Sequence, residues 1–219
     1  MSFYQQLQHA TAPERATLLA APLITAAFAG EVTRRHYLDF LGRAYHHVRH
    51  TVPLLMACGS RLPGHQEWLR SAVAHYIEEE IGHHEWILAD IAAAGGDADA
   101  VRDSAPDFDT DQMVAYAYDT VTRRNPVGMF GMVYVLEGTS VSLASEAARV
   151  LQDTLGLPQA AFTYLSSHGT LDREHIDDYA RLVNRLETSV DRDAVVSSAR
   201  VFFRLYGNVL RGIELQERA

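Results

Sequence analysis

Apolar side chains recur along most of this chain at spacings of three and four, the period of helices buried on one face. No alternation of period two lasts beyond a few residues. Leu18, Leu19, Ile24 and Phe28 predict a first helical region broken near Pro22. A second runs from about Thr33 to Cys58, with Tyr37, Phe40, Leu41, Tyr45 and Val48 on its repeat and a kink expected at Pro53. After a turn over Gly59 to Gly64, a third helix is predicted from His65 to Ala94, stopped by the Gly95–Gly96 pair. The acidic stretch Gly96 to Phe108, which holds Pro106, reads as a loop. Helices are then expected over Asp111 to Arg123, capped by Thr110, and over Pro126 to Leu155, ended by Gly156 and Pro158. Gln159 to Ser167, Leu171 to Leu186 and Arg192 to Gln216 complete the set. Connections are short and no repeat or low-complexity linker interrupts them, so residues 1–219 are predicted to form one all-α domain, a single-domain bundle of seven or eight helices.

Composition narrows the function classes. With 219 residues, 47% of them hydrophobic and 21% charged, the chain can bury a core without disulfide or zinc staples. The single cysteine, Cys58, excludes an intramolecular disulfide framework and any metal site built from several thiolates. All nineteen basic residues are arginine. A chain without lysine cannot form a Schiff base, hold pyridoxal phosphate covalently or build a Walker-type phosphate loop. The net charge of −9 argues against nucleic acid and anionic membranes as partners. Met1 to Ala20 has no signal-peptide pattern, and the most apolar stretch, Asn125 to Ser145, carries Glu137 at its middle. A central carboxylate is expensive in a bilayer, so a buried core helix is expected there. A cytoplasmic protein acting on a small molecule, and a homodimer as the commonest oligomer, are the expectations.

Three segments place acids and histidines where apolar residues would otherwise fall. In Glu78-Glu79-Glu80-Ile81-Gly82-His83-His84-Glu85, Glu80 and His83 are three apart and share a face if the helix is continuous. Glu79 with His83, or Glu80 with His84, are rival pairs at a spacing of four. Glu-x-x-His on a bundle helix is the pattern of carboxylate-bridged di-iron and di-manganese sites. Glu137 sits within Met129-Phe-Gly-Met-Val-Tyr-Val-Leu-Glu-Gly-Thr, where a carboxylate must be protonated, paired or metal-bound. In His168-Gly-Thr-Leu-Asp172-Arg-Glu-His175, a helix would place His168, Asp172 and His175 within about 60° of one another. Each segment has a structural alternative: a solvated acidic helix, a core hydrogen bond, a polar helix start. Jointly, three carboxylates and three imidazoles without a thiolate favour iron or manganese over structural zinc. A further cluster, Tyr45-His46-His47-Val48-Arg49-His50, makes Tyr45, His47, Arg49 and His50 candidates for a substrate pocket, with Arg49 suited to a carboxylate. Trp68 and Trp86 read as packing aromatics.

The order Glu-x-x-His, a lone Glu in an apolar helix, then His-x-x-x-Asp-x-x-His resembles the heme-oxygenase-like di-metal oxidases over roughly Tyr37 to Leu186. The resemblance implies the all-α fold shared with heme oxygenase and thiaminase II, and two ferrous ions, or manganese, held by Glu80, His83, Glu137, His168, Asp172 and His175. Glu137 and Asp172 are the candidates to bridge or flank the pair. Dioxygen would be the co-substrate, with a small carboxylic or amino acid oxidised and the electron donor unassigned. The chain departs from the family at two points. A more distant offset of the first carboxylate falls on Tyr76, so Glu80 or Glu79 must serve, and a subfamily that consumes its own lysine is excluded. The resemblance selects His83 over His84. The rival within the fold is a heme-handling or thiaminase-like (TenA-type) ligand-binding protein. Its heme version would need a proximal histidine near the N-terminus, where His9 and His36 stand, and its thiaminase version a nucleophilic cysteine. A metal-free helical interaction protein is the third class.

Overall fold

The computed structural model describes the backbone of residues 1–170 and 172–215, and their side chains except at positions 140–142, 168–170 and 172–175. The helices are α1 (Phe3–Ala10), α2 (Ala12–Leu19), α3 (Pro22–Ala29), α4 (Arg34–Val48), α5 (Thr51–Arg61), α6 (Glu67–Glu80) and α7 (His83–Ala93). They continue as α8 (Ala98–Asp103), α9 (Phe108–Arg123), α10 (Met129–Leu155), α11 (Thr163–Thr170), α12 (Asp172–Asn184) and α13 (Ser189–Arg211). Single 3₁₀ turns cover Gly64–Gln66, Pro126–Gly128 and Gln159–Ala161, and no strand occurs among the described residues.

The bundle is all-α, as its periodicity predicts, but it is cut into more and shorter helices. Pro22 does not break a helix; it opens α3 at its first position, where its missing N–H is no loss. Pro53 acts three residues earlier than the expected kink. A proline cannot donate to the carbonyl four residues back, that of Arg49, so α4 ends at Val48 with Arg49 as its cap and α5 restarts at Thr51, with Pro53 in its first turn. The stretch read as a loop after Gly96 holds α8, capped by Asp97, whose carboxylate accepts from Ala100 N–H. Asp107, not Thr110, caps α9, accepting from the N–H groups of Asp109 and Thr110. α1 escapes a periodicity reading because only Phe3 and Leu7 are buried in it; a reciprocal Ser2–Gln5 capping box defines its start.

The core is continuous, and α10 runs through it against α3, α11, α12 and α13. No single helix among the described residues is long and apolar enough to cross a membrane. The α10–α13 contact is close enough that a Cβ on Gly131 would lie 2.6 Å from the Val195 carbonyl and 2.7 Å from the Ala199 nitrogen. No atom of the described residues lies within 4 Å of a Cβ built on Gly138 of the same helix. Gly131→Ala is therefore expected to destabilise by about 1–3 kcal/mol, because backbone must move. Gly138→Ala should stabilise by up to about 1 kcal/mol through helix propensity. Thermal unfolding of the two variants checks both signs.

Candidate functional site

The predicted third helix is two helices, and the break makes the site. α6 ends on Glu80, Ile81 is extended, and Gly82 takes φ +92° before α7 starts at His83. Only glycine adopts that backbone without strain. Glu80 and His83 therefore do not share one helical face. They meet across the turn, with Glu80 Oε2 3.2 Å from His83 Nδ1 and both side chains largely buried. His83 is 6% exposed and packs against Trp86, with ring centroids 4.2 Å apart and planes tilted by 32°. The His84 side chain is 37% exposed and turns towards Glu85 at 3.4 Å. Glu79 faces His75, with 3.3 Å between Glu79 Oε1 and His75 Nε2.

Glu137 reaches this region from α10. Glu80, Glu137 and His47 line one cavity of about 50 Å³, with Thr51, Tyr76, Tyr164, Tyr206 and the apolar side chains of Val48, Leu55, Met129, Met132, Val133 and Leu136. Burial, then the charges of Glu137, Glu79 and Glu80, push the Tyr76 hydroxyl well above its ordinary range. Tyr164 is raised by burial, Tyr206 and Glu80, and Tyr179 by burial, Tyr76, Tyr134 and Glu137. Burial alone takes Tyr206 up to about 12. These phenols stay protonated; Tyr179 donates to the Phe130 carbonyl at 2.7 Å, while Tyr76, Tyr164 and Tyr206 line the carboxylate cavity.

His168 lies on α11, and Asp172 and His175 on α12; their side chains lie outside the described residues. The two helices pack beside the others of the site: α11 against α7 and α10, and α12 against α10. Among the described residues no group of three or more His, Cys, Asp or Glu has metal-binding geometry.

Of the four pocket candidates, His47 lines the cavity, its ring 5.9 Å from that of Tyr206. Tyr45, Arg49 and His50 are not part of its wall. Arg49 is exposed and lies over the Tyr45 ring at 5.4 Å, and His50 Nδ1 meets the Tyr118 hydroxyl at 3.1 Å. Burial first, then the Arg49 charge, depresses the titration of both His46 and His50. The unfolded chain therefore binds these protons more readily than the folded one. Stability from this pair is complete above about pH 6.5 and is lost as pH falls through the folded-state values. Melting curves in mildly acid buffer should shift down, and His46→Phe together with His50→Phe should flatten that shift.

Sequence reasoning missed two features. Tyr76, Tyr164 and Tyr206 complete the cavity wall, yet tyrosine in an apolar run carries no distinctive signal. Asp90 does carry one, because it stands in Ile87-Leu88-Ala89-Asp90-Ile91, an apolar setting like that of Glu137. It is wholly buried, and its two oxygens accept from the N–H groups of Thr163 at 3.0 Å and Tyr164 at 2.8 Å. This carboxylate of α7 thereby fixes the start of α11 and the position of Tyr164. Cys58 donates to the Pro126 carbonyl at 3.3 Å, and burial pushes its thiol up to about 12, unsuited to a nucleophile.

Solved structures place the fold. A domain of unknown function with a heme oxygenase-like fold from Shewanella denitrificans superposes with a TM-score of 0.85 at 24% identity, covering 97% of this chain and 92% of that one. A TenA homologue from Pseudomonas syringae gives 0.79 at 13% identity, over 96% and 92%. Heme oxygenase-1 from the cyanobacterium Synechocystis, solved with heme, gives 0.76 at 12%, over 98% and 93%. At these identities the likeness concerns the fold. No curated protein shows significant sequence similarity to the chain. The sequence profile of one family matches residues 38–207, most of the chain, and with the heme oxygenase-like bundle around the Glu80–Glu137 cavity it makes this protein a member of the iron-containing redox enzyme family.

Proposed function

We propose that the protein is an oxygen-dependent non-heme oxidase that uses two iron ions, with manganese as the alternative metal, to oxidise a small organic substrate. The observation that carries this reading is the convergence of Glu80 and Glu137, from helices far apart in sequence, on one cavity that His47 also lines. Oxygen and nitrogen donors without thiolate suit iron by donor type, and the set is completed only with the ligands of α11 and α12. Glu80, His83 and Glu137 would hold it, with His168, Asp172 and His175 supplied by α11 and α12. Iron bound there would supply the electrons that reduce dioxygen. The chain supplies the rest. Met129, Met132, Val133 and Leu136 keep bulk water from the carboxylates, which strengthens every charge interaction inside. Tyr76 and Tyr164 present protonated hydroxyls beside the acids and can hold a proton there. Dioxygen fits a space of about 50 Å³; a larger substrate must approach from a neighbouring compartment.

One observation favours a second reading. His36, of the two histidines near the N-terminus, is only 5% exposed and lines a separate apolar cavity, where a heme ligand could stand. That cavity measures about 100 Å³. An apolar hole of about 150 Å³ takes one benzene, so a porphyrin would have to displace helices to enter. The geometry therefore supports the non-heme reading better.

Reconstitution with ferrous iron tests it. About two irons per chain and oxygen uptake are expected. His83→Ala should lose at least half the iron, whereas His84→Ala, at a half-exposed position, should retain it. Loss of iron only in the His84 variant would move the ligand assignment. A Soret band from added heme, with no iron bound in its absence, would replace the reading altogether.

A further inference from the structure

The apolar cavity lies between α3, α4, α10, α11 and α13. Leu23, Ala27, Phe40, Ala144, Leu151 and Leu210 are typical of its wall, and no Asp, Glu or Arg is among the described residues that line it. It joins two environments. Its rim carries Phe28, an exposed aromatic, with the half-buried Ile24 and Ala147, so one end opens towards solvent. At the buried end, Tyr164 and Tyr206 line it and also the Glu80–Glu137 cavity, so the two spaces abut at those rings.

Size and wall chemistry select what can occupy this space. At about 100 Å³ it is smaller than the roughly 150 Å³ that takes one benzene, so its occupant has only a few heavy atoms. A buried water needs several polar partners, and this wall offers few. Tyr37 already donates its hydroxyl to the Ala161 carbonyl at 2.7 Å, and His36 Nδ1 accepts the Thr33 N–H at 3.1 Å. An apolar gas forms no hydrogen bonds and gives none up on leaving water, so a hydrocarbon wall favours it over water. Dioxygen is the apolar gas that the chemistry proposed for the adjoining cavity consumes.

We infer that this cavity takes up dioxygen from solvent and passes it to the carboxylate cavity past Tyr164 and Tyr206. The same walls hold water back from the acids. Uptake of an apolar gas follows from the walls alone; delivery to a reacting centre rests on the oxidase reading. Ala144 and Ala147, the small side chains that α10 places on this wall, leave the route open.

Dissolved dioxygen is paramagnetic and speeds the relaxation of methyl protons that it approaches, so NMR of the iron-free protein under oxygen and under nitrogen provides the test. The oxygen effect should be severalfold larger at Leu23 and Leu210 than at Leu69 and Val121, which are also buried but line neither cavity. Met132 and Val133, in the carboxylate cavity, should exceed that reference too. Ala147→Phe, at a half-buried position on the rim, should cut the excess at Leu23, Leu210 and Met132 together. Ala144→Val, a smaller addition inside the cavity, should act in the same direction if the first variant folds poorly. With iron bound, either variant should lower kcat/KM for oxygen severalfold, and raising the oxygen concentration should recover the rate. Leu23 and Leu210 relaxing no faster than Leu69 and Val121 would overturn the gas site. An excess at Met132 that survives both substitutions, or an unchanged kcat/KM for oxygen, would show another way in and overturn the delivery. The expected relaxation in a protein that consumes no oxygen with iron would leave the gas site standing and remove only the oxidase reading.

Discussion

Replacing Glu137 by alanine is expected to abolish iron-dependent oxygen uptake and to cut metal affinity by more than about 100-fold, while the iron-free protein folds as before. Perturbing partners of metal ligands already costs about 10–100-fold, and a direct ligand should cost more. The effect on folding runs the other way. A carboxylate in the apolar stretch of α10 carries a desolvation cost, and its removal relieves that cost, so the melting temperature without metal should hold or rise. Glu137→Gln, which keeps the shape but not the charge, should also lose iron. Metal analysis and oxygen uptake read the first effect, and thermal unfolding with chelator reads the second. Full iron content in both variants would remove Glu137 from the site.

Asp90→Ala should give the largest loss of stability among single polar substitutions. The side chain is wholly buried, and its removal strands the N–H groups of Thr163 and Tyr164. An unsatisfied buried donor costs about 1–3 kcal/mol, so about 2–4 kcal/mol is expected for the pair after partial relaxation. In a chain of this size each kcal/mol lowers the melting temperature by about 2–4 °C, giving a fall of roughly 5–15 °C. Because α11 carries Tyr164 and His168, the variant should also bind iron more weakly, although Asp90 does not line the cavity. Asp90→Asn keeps one acceptor and should lose about half as much. A melting temperature within about 2 °C of wild type would show that α11 holds its place without this cap.

The residues themselves show which parts of this protein are local. Leu41, Tyr37 and Val48 recur at helical spacing, and α4 buries that side. Glu137 is conspicuous because an acid breaks an otherwise apolar run, and the same logic applied to Asp90 would have found the anchor of α11. Proline positions are legible, but their consequence needs the carbonyl they face, so Pro53 moves the break to Arg49–His50. Gly82 is visible as a glycine, yet nothing in the local pattern states that it will turn left-handed rather than continue a helix. The Glu80–His83 pair was anticipated from a continuous helical face; the structure forms it across a turn.

Helical class, the distribution of acids and histidines, the absence of lysine and the single cysteine were determined by the sequence alone, because each depends on residue type or on neighbours within a turn or two of helix. The tertiary structure alone decided that His47 lines the carboxylate cavity while Arg49 faces solvent, and that Tyr164 and Tyr206 line two cavities at once. A cavity is the space left where faces of several helices fail to fill the volume between them. Its walls come from residues as far apart as Leu23 and Leu210, and only the packing of the whole bundle brings them together.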